Sequence, residues 1–489
     1  MKRMLALVLA LALLSLFPAL GEETLPEPDV SAREMLLGEA TAEYFYEATL
    51  YYTGSDGVSL SQATRTLLVQ AGETLLDVVL EALLDSSLSP AQVSVIPGDT
   101  RVISREISGG LVTVNLSIEA RNVQSDQELL LMYSAISGTL LEMEGVEGVS
   151  VLINDREEGV LGLPGGVFSA IEGDVAAAWA QMQAEADRYL GNAQGSATRV
   201  AALYFPSADG RWLVPETREI SFTEDTIANE LLSQLCAGPQ MLECGLSIAP
   251  TGTLLAGEPV LNVTSAGERV LELNLDGAAL AAAESAGVQR WQVCGALTLT
   301  LCSFLTELDA VRLSVDGESI TQAQREGTAL SFNEDGMCRR DFSGFIGGAA
   351  SLYLANDDGE LILRETALSQ GEALSARALL TVLLSEEMAA SLGGVSPVPA
   401  LIDETDILGV RVRDGVATVN LSARFYSACQ ELDEVRERTA VYAIVNTLCG
   451  LSGVEGVRFL IEGESVETLS EYIYMRTVLL PNPGVVVTE

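Results

Sequence analysis

Apolar and polar residues alternate in one short stretch that occurs three times along the chain and ends each time on Asn-Leu. In a β-strand, a period of two places the apolar side chains on one face and the polar side chains on the other. Each copy is therefore predicted to form a half-buried strand inside a larger repeated unit. The copies span residues 110–117, 268–276 and 415–422, with their asparagines at Asn115, Asn274 and Asn420.

A Leu-Tyr pair, followed after four residues by Asp-Gly, lies upstream of each copy. Two extended runs around such a turn predict a β-hairpin, because glycine readily takes the positive φ that a tight turn requires. A calcium-binding loop at residues 356–359 is disfavoured, since the alternating carboxylates and the distal glutamate of such a loop are missing. The three motifs are Leu50-Tyr51 with Asp56-Gly57, Leu203-Tyr204 with Asp209-Gly210, and Leu352-Tyr353 with Asp358-Gly359.

Two helices are predicted in each unit. The first follows the hairpin, at residues 74–84, 227–235 and 374–384, and acidic residues near its start suit the helix dipole. The second follows the Asn-Leu strand and carries apolar residues at helical spacing, most clearly between Val441 and Leu448. A last strand closes each unit, at residues 145–153, 308–315 and 453–461.

The order of elements is thus ββαββαβ in every unit. The predicted fold class is α+β, with three tandem small domains, each a sheet with two helices packed on one face. An extended run at residues 472–480 is predicted to add an edge strand to the last unit. The expected segments are an export signal at 1–21, an acidic leader at 22–42, domains at 43–160, 197–322 and 348–489 (the last with a C-terminal extension), a helical linker at 161–196 with its helix at 174–190, and a Gly-rich linker at 323–347.

The first 21 residues have the form of an export signal. Lys2 and Arg3 precede an apolar run that ends at Phe17, and a small-x-small sequence follows at residues 19–21. The run is shorter than the roughly 20 residues that a membrane-spanning helix needs, which favours cleavage over an uncleaved anchor. The first cysteine is Cys236, so there is no lipobox. The mature chain is expected to be extracytoplasmic, in the cell envelope or secreted, with no transmembrane span.

Charge and composition exclude several kinds of function. The chain has 69 acidic and 27 basic residues, a net charge of −42, no histidine, and Lys2 as its only lysine. Such a negative surface repels nucleic acid. Histidine-activated nucleophiles, His-ligated zinc and Schiff-base lysines are all ruled out in the mature chain. We therefore predict that the protein is not an enzyme, and we assign no catalytic, cofactor-binding or metal-binding residue.

Three features could mark a site but favour a structural interpretation. Asparagine is unusual in strands, and the repeated amide is predicted to cap backbone groups in the turn to the next helix. Seven cysteines, with none in the first third of the chain, do not form a disulfide framework. Cys294 and Cys302 could be a redox pair, but Cys302 falls in an apolar helix stripe and is predicted to be a small buried residue. Trp212 and Trp291 are too far apart in the sequence to predict a carbohydrate platform.

The ordered set of motifs resembles the GerMN domain of sporulation and spore-germination proteins. The second unit matches that pattern most fully, from Tyr204 to Arg218 and again at residues 237–239. The resemblance covers most of residues 43–322 and 348–466. It implies a domain similar to the ring-building motifs of the complex between mother cell and forespore, in an exported protein of spore-forming Gram-positive bacteria. It supplies no catalytic residues, and the chain differs from many members in lacking a lipobox and in carrying three units.

The resulting hypothesis is an exported, non-catalytic structural or assembly protein of the cell envelope. Its partners are expected to be envelope proteins or further copies of itself, because open sheet edges offer unpaired backbone groups to another chain. One alternative is an extracytoplasmic module that binds a peptide, a glycan or a cation. The other is a hydrolase, which would need two carboxylates that converge in a cleft. The hypothesis includes no cofactor and no nucleic-acid partner.

Overall fold

The computed structural model describes residues 36–37, 40, 43–85, 94–171, 174–191, 195–413, 415–451 and 453–488. The predicted export signal and most of the acidic leader lie outside these residues, so both stay predictions. Within the described residues the architecture is α+β, with several small sheets and three repeats of one arrangement, which confirms the predicted fold class.

The predicted elements occur in the predicted order in each of the three units, and the second and third units contain additional short helices. The first unit consists of β1 (Tyr44–Thr53), β2 (Leu60–Val69), α1 (Leu75–Leu84), β3 (Val102–Ser108), β4 (Leu111–Leu116), α2 (Asp126–Leu141) and β5 (Gly148–Ile153). After β6 (Val167–Phe168) and α3 (Val175–Gly191) come β7 (Ala197–Pro206), β8 (Leu213–Phe222), α4 (Ile227–Cys236), β9 (Val260–Val263), β10 (Arg269–Leu275), α5 (Gly277–Ser285), α6 (Arg290–Cys302) and β11 (Ala310–Val315).

The third unit follows three short strands, β12 (Glu318–Ser319), β13 (Gln322–Arg325) and β14 (Thr328–Ser331). It consists of β15 (Gly347–Ala355), β16 (Leu361–Ser369), α7 (Gln370–Leu374), α8 (Ala376–Leu384), α9 (Glu386–Ser391), β17 (Ile407–Arg413), β18 (Val416–Leu421), α10 (Ala423–Cys429), α11 (Glu434–Cys449) and β19 (Gly456–Ile461). The helix predicted at residues 374–384 is divided at Ser375, whose side chain accepts a hydrogen bond from the Ala378 N–H and starts a new helix.

The strands of each unit form two sheets rather than one. The hairpin is a separate two-stranded sheet, and its turn glycines have positive φ, as predicted (Gly57 74°, Gly210 74° and Gly359 80°). The Asn-Leu strand lies in the centre of the second sheet, antiparallel to the outer strand before it and parallel to the closing strand. The same arrangement holds for the sheets β9-β10-β11 and β17-β18-β19.

The second helix of each unit, which we call the closing helix, lies between these two sheets. It packs against the hairpin on one side and the closing strand on the other, so most of its surface is buried. One hydrogen bond, 3.0 Å long in every unit, joins helix to hairpin: the backbone N–H of the tyrosine in the Leu-Tyr motif donates to a buried threonine hydroxyl. The pairs are Tyr51 with Thr139, Tyr204 with Thr300, and Tyr353 with Thr447.

We expect Thr300→Val to lower the free energy of unfolding by about 1–3 kcal/mol, because it leaves the buried Tyr204 N–H without an acceptor. Thr298→Val, on the same helix, is the matched control. The Thr298 hydroxyl is buried and has no hydrogen-bond partner among the described residues, so its loss is expected to be neutral or stabilising. Urea denaturation of both variants measures the difference. Equal losses would show that the hydrogen bond contributes nothing specific.

Candidate functional site

A buried arginine joins the first two units. Arg339 lies in the segment predicted as a Gly-rich linker, and its guanidinium pairs with the carboxylate of Glu106 on β3 of the first unit. It also donates to the Ser303 hydroxyl (2.5 Å), just after α6, and to the Tyr204 hydroxyl (3.2 Å) on β7. Burial works against the charged guanidinium, but Glu106 and Tyr204 outweigh it and raise the pKa of Arg339. Arg339 is therefore always charged.

The third unit contacts strand β3 beside Glu106. Gln370, at the start of α7, accepts a hydrogen bond from the Ile107 N–H of β3 (2.9 Å) and donates to the Ile346 carbonyl (3.2 Å). The Ser108 hydroxyl donates to the Gly347 carbonyl at 2.5 Å, where β15 begins. Strand β3 thus contacts both other units along its outer edge. We call the contacts around Arg339, Glu106 and Gln370 the three-unit junction.

A second set of charged groups lies between the first and second units, in the loop after β5. Arg156 pairs with Glu158 (3.0 Å) in its own loop and with Asp309 of the second unit. Beside it, Glu157 is almost fully buried and accepts a hydrogen bond from the Gly165 N–H at 2.7 Å. Its other carboxylate oxygen has no partner among the described residues. Burial raises the pKa of Glu157 well above its ordinary value, because it disfavours the charged carboxylate.

The position of Glu157 predicts a pH dependence. A carboxyl group whose pKa is raised in the folded state contributes stability below its unfolded pKa of about 4.3, and this contribution is lost as the pH rises towards the folded pKa. Relative to the wild type, Glu157→Gln is therefore expected to become more stable with each step in pH above that value. Glu219→Gln, at an exposed strand position, is the control and should show no such trend. Thermal melts of the wild type and both variants across a pH series measure this trend. Melting temperatures of Glu157→Gln and the wild type that change in parallel with pH would contradict a raised pKa of Glu157.

An aromatic cluster surrounds a second arginine in the second unit. The Arg325 guanidinium, on the β13–β14 hairpin, lies 4.5 Å from the ring centroid of Phe345, 5.4 Å from that of Trp291 and 5.9 Å from that of Trp212. The two tryptophans that are distant in the sequence are thus brought together by the fold. Such a cage attracts cations through the negative faces of its rings, and here the chain's own arginine fills it.

The outer strand of each of the three sheets has an exposed apolar residue. Ile103 on β3 is 50% exposed, Leu261 on β9 is 47% exposed and Leu408 on β17 is 46% exposed. Ile103 and Leu408 both lie at a β-bulge, where the register with the central strand shifts. The opposite edges are partly covered, because each closing strand pairs with a later segment. Strand β5 pairs with β6 through Val149 and Ser150, and single pairings join Val311 to Met337 and Val457 to Leu479.

Comparison with known proteins decides the family. The sequence profile of the family Germane, described as sporulation and spore germination, matches residues 49–159, 202–321 and 351–467. These three segments make up more than half of the chain. The chain belongs to this family. The resemblance to GerMN domains, drawn from the Leu-Tyr, Asp-Gly and Asn-Leu motifs, is confirmed.

Two solved structures of Germane-type domains are similar to the chain. The tandem GerMN domains of the sporulation protein GerM from Bacillus subtilis match over 60% of this chain and 100% of that chain, at 16% identity and a TM-score of 0.24. The first GerMN domain of the same protein matches over 26% and 96%, at 21% identity and a TM-score of 0.20. With TM-scores this low, membership of the Germane family rests on the sequence match. Among curated proteins, none matches the chain.

The repeated asparagines have the same role in all three Germane units. The side-chain oxygen of each accepts a hydrogen bond from a backbone N–H in the turn after the closing strand: Asp155 (2.9 Å), Gly317 (2.8 Å) and Gly463 (2.7 Å). The predicted backbone cap is therefore present, but the prediction of the turn to the next helix was wrong. Because the two strands are parallel, the asparagine lies beside the end of the closing strand, where two successive residues have positive φ.

The cysteines of this Germane chain all lie within the described residues, and none forms a disulfide. Cys294 and Cys302 are fully buried on the closing helix α6, which agrees with the prediction of small buried residues. Burial raises the pKa of the Cys294 thiol to about 12, so it is not a reactive thiolate at neutral pH.

Two further properties of the described residues bear on the function of the Germane chain. Across residues 43–85, 94–171, 174–191 and most of 195–488, no three His, Cys, Asp or Glu side chains come together as a metal site would require. The helices in this part of the chain are all too short or too polar to cross a membrane. The predicted absence of catalytic, cofactor-binding and metal-binding residues stays a prediction.

Proposed function

We propose that this Germane protein is exported and acts outside the cytoplasm as a non-catalytic structural or assembly protein, in sporulation or spore germination. One observation carries the proposal: three Germane units pack around a common buried junction, and their sheets present exposed apolar residues on their outer strands. A body of this kind offers surfaces to which other proteins can bind. The similar GerM from Bacillus subtilis is described as a sporulation protein.

The available chemistry agrees with a non-catalytic role. The chain has no histidine, and its one lysine is Lys2. Two of its buried carboxyl groups have structural surroundings: Glu106 pairs with Arg339, and Glu157 lies buried at the boundary between two units, where it accepts a hydrogen bond from the Gly165 N–H. General acid–base catalysis needs a group that titrates near the operating pH and reaches a substrate. Neither glutamate is accessible to one.

Cross-linking in the native host tests this proposal. The chain would be tagged at its C-terminus, and its abundance, compartment and cross-linked partners would be followed through vegetative growth and sporulation. We expect a protein outside the cytoplasm that accumulates during sporulation and cross-links to defined envelope proteins. A protein that stays in the cytoplasm would overturn the proposed export. A protein made only in vegetative growth, or one that sediments as a strict monomer and cross-links to nothing, would overturn the assembly role.

A second candidate, a binding module, is favoured by a cleft of 580 Å³ between the first and second units. Its lining includes carboxylates and apolar side chains, which suit a peptide or a cation better than a glycan, since no tryptophan lines it. A thermal shift with calcium or with soluble cell-wall fragments would reveal such binding, because a ligand of the folded state raises the melting temperature.

A further inference from the structure

The outer edge of strand β9 is unpaired among the described residues. In this respect β9 differs from the outer strands of the other two units. It pairs with β10 on one side, through a turn in which the Thr264 N–H donates to the Glu268 carbonyl (2.8 Å). In an antiparallel ladder the hydrogen-bonded pairs alternate, so Leu261 and Val263 direct their N–H and C=O groups away from β10. Those four groups have no partner among the described residues. By contrast, the Ile107 N–H of β3 already bonds to Gln370.

The side chains beside this edge are apolar and accessible. Val260 is 51% exposed, Leu261 47% and Val263 65%. Leu261 lines the 580 Å³ cleft together with its cross-strand neighbour Leu271 and with Leu190, at the end of α3. An extended peptide laid along β9 would therefore find both unpaired backbone groups and an apolar surface.

The rim of the cleft is negatively charged. Glu224 and Asp225, just before α4, line it with exposed carboxylates that make no hydrogen bond or ion pair within the described residues. Asp126 and Glu307 line it as well. Arg269 is the one base in the lining, and its Nε is buried with no acceptor among the described residues. Glu307 pairs with Arg121 at 3.5 Å, whereas Glu224 and Asp225 have no counter-charge among the described residues.

We propose that this cleft binds an extended segment of a partner protein in which basic side chains alternate with apolar ones, added as a further strand along β9. The apolar side chains contact Leu261, and the basic ones pair with Glu224 and Asp225. This inference rests on the proposed assembly function and names the chemistry of one partner. A second copy of the chain is disfavoured as the occupant, because two surfaces of a protein with net charge −42 repel each other.

The test uses the intact chain and a short fluorescent peptide of alternating lysine and valine, followed by anisotropy. Two control peptides separate the contributions: one replaces every lysine with glutamate, and one carries N-methyl groups that block strand pairing. Leu261→Asp is the test variant. Leu408→Asp is its matched control, because Leu408 is 46% exposed on the corresponding strand of the third unit and the variant adds the same charge.

We expect the lysine peptide to bind, the two control peptides not to bind, and Leu261→Asp to weaken binding by about tenfold or more, as for the loss of a central interface contact. Leu408→Asp should leave the affinity unchanged. Glu224→Gln with Asp225→Asn should weaken binding and reduce its dependence on salt. Attraction to the negative surface alone predicts the opposite for Leu261→Asp, namely equal or tighter binding.

Three outcomes would overturn the inference: a Leu261→Asp variant that binds as tightly as the wild type, a glutamate peptide that binds as well as the lysine peptide, or an N-methylated peptide that binds undiminished. Concentration-dependent dimerisation that Leu261→Asp abolishes would also overturn it, by showing a second copy as the occupant. The proposed function is tested by a separate experiment, cross-linking in the host. If cross-linking in the host finds envelope partners that Leu261→Asp does not affect, the assembly role stands and this cleft is not its site.

Discussion

Arg339→Met is expected to lower the free energy of unfolding by about 3–5 kcal/mol, because it leaves Glu106 buried without its counter-charge. The loss should grow as the pH rises. Burial already raises the pKa of Glu106 against the opposing effect of Arg339, so removal of the arginine is expected to raise this pKa further. A raised folded pKa contributes stability at low pH that is lost as the pH increases.

Urea denaturation at several pH values measures this effect. Arg340→Met is the matched control, since the neighbouring Arg340 side chain is 64% exposed and its ion pair with Asp155 (2.7 Å) lies near the surface. Exposed pairs contribute at most about 1 kcal/mol. The double variant Glu106→Leu with Arg339→Met should recover much of the loss, because replacing a whole buried ion pair with apolar residues is often neutral. Equal effects of the two single arginine variants would contradict a junction that depends on Arg339.

Glu437→Ala is expected to destabilise the third unit by about 2–4 kcal/mol. This fully buried side chain on α11 accepts hydrogen bonds of 2.7–3.3 Å from four consecutive backbone N–H groups of the C-terminal extension, at residues 470–473. Alanine removes both acceptor oxygens at once. The extension should then separate from the unit and expose the edge of β19 that Leu479 covers.

Hydrogen exchange read by mass spectrometry follows this separation directly. In Glu437→Ala we expect fast exchange at residues 470–480, with slower exchange retained in the first unit. Glu434→Ala, on the exposed side of the same helix, controls for the loss of a carboxylate and should exchange like the wild type. Unchanged protection of the extension in Glu437→Ala would show that its apolar contacts hold it without the carboxylate.

Local patterns were sufficient to predict the elements of each unit. The Asp-Gly turns, the alternation around Asn115 and its counterparts, and the apolar stripe of α11 are all signals between residues close in sequence, and each formed as predicted. Helix boundaries also followed local chemistry, such as the Thr74 hydroxyl that accepts from the Asp77 N–H at the start of α1. The family resemblance rested on the same motifs.

Contacts between distant residues could not be predicted in this way. The closing helix lies between two sheets, and its buried residues include serine, threonine and asparagine as well as apolar side chains. The one-sided apolar stripe in the sequence therefore gave no sign of a second sheet. The asparagine cap depends on which strand becomes the parallel neighbour, and strand order is not a local property. The extended run at residues 472–480 forms a single pairing at Leu479, because Glu437 binds the backbone before it.

The three-unit junction had the weakest signal in the sequence. Arg339 and Glu106 are 233 positions apart, and one lies in a segment with the composition of a linker. Neither residue stands out among 69 acids and 27 bases. A buried pair of this kind is recognised only once the units are placed together. The free edge of β9 is likewise a property of the assembled first and second units, since the cleft beside it has walls from both.

Differential scanning calorimetry of the intact chain tests most directly whether the three Germane units form one body. Units joined by a buried ion pair and shared hydrogen bonds are expected to unfold together, in one transition whose calorimetric and van't Hoff enthalpies agree. Arg339→Met should divide that transition into separate steps. Independent transitions for the three units in the wild-type chain would contradict the account, because units that unfold separately are not held together by the junction.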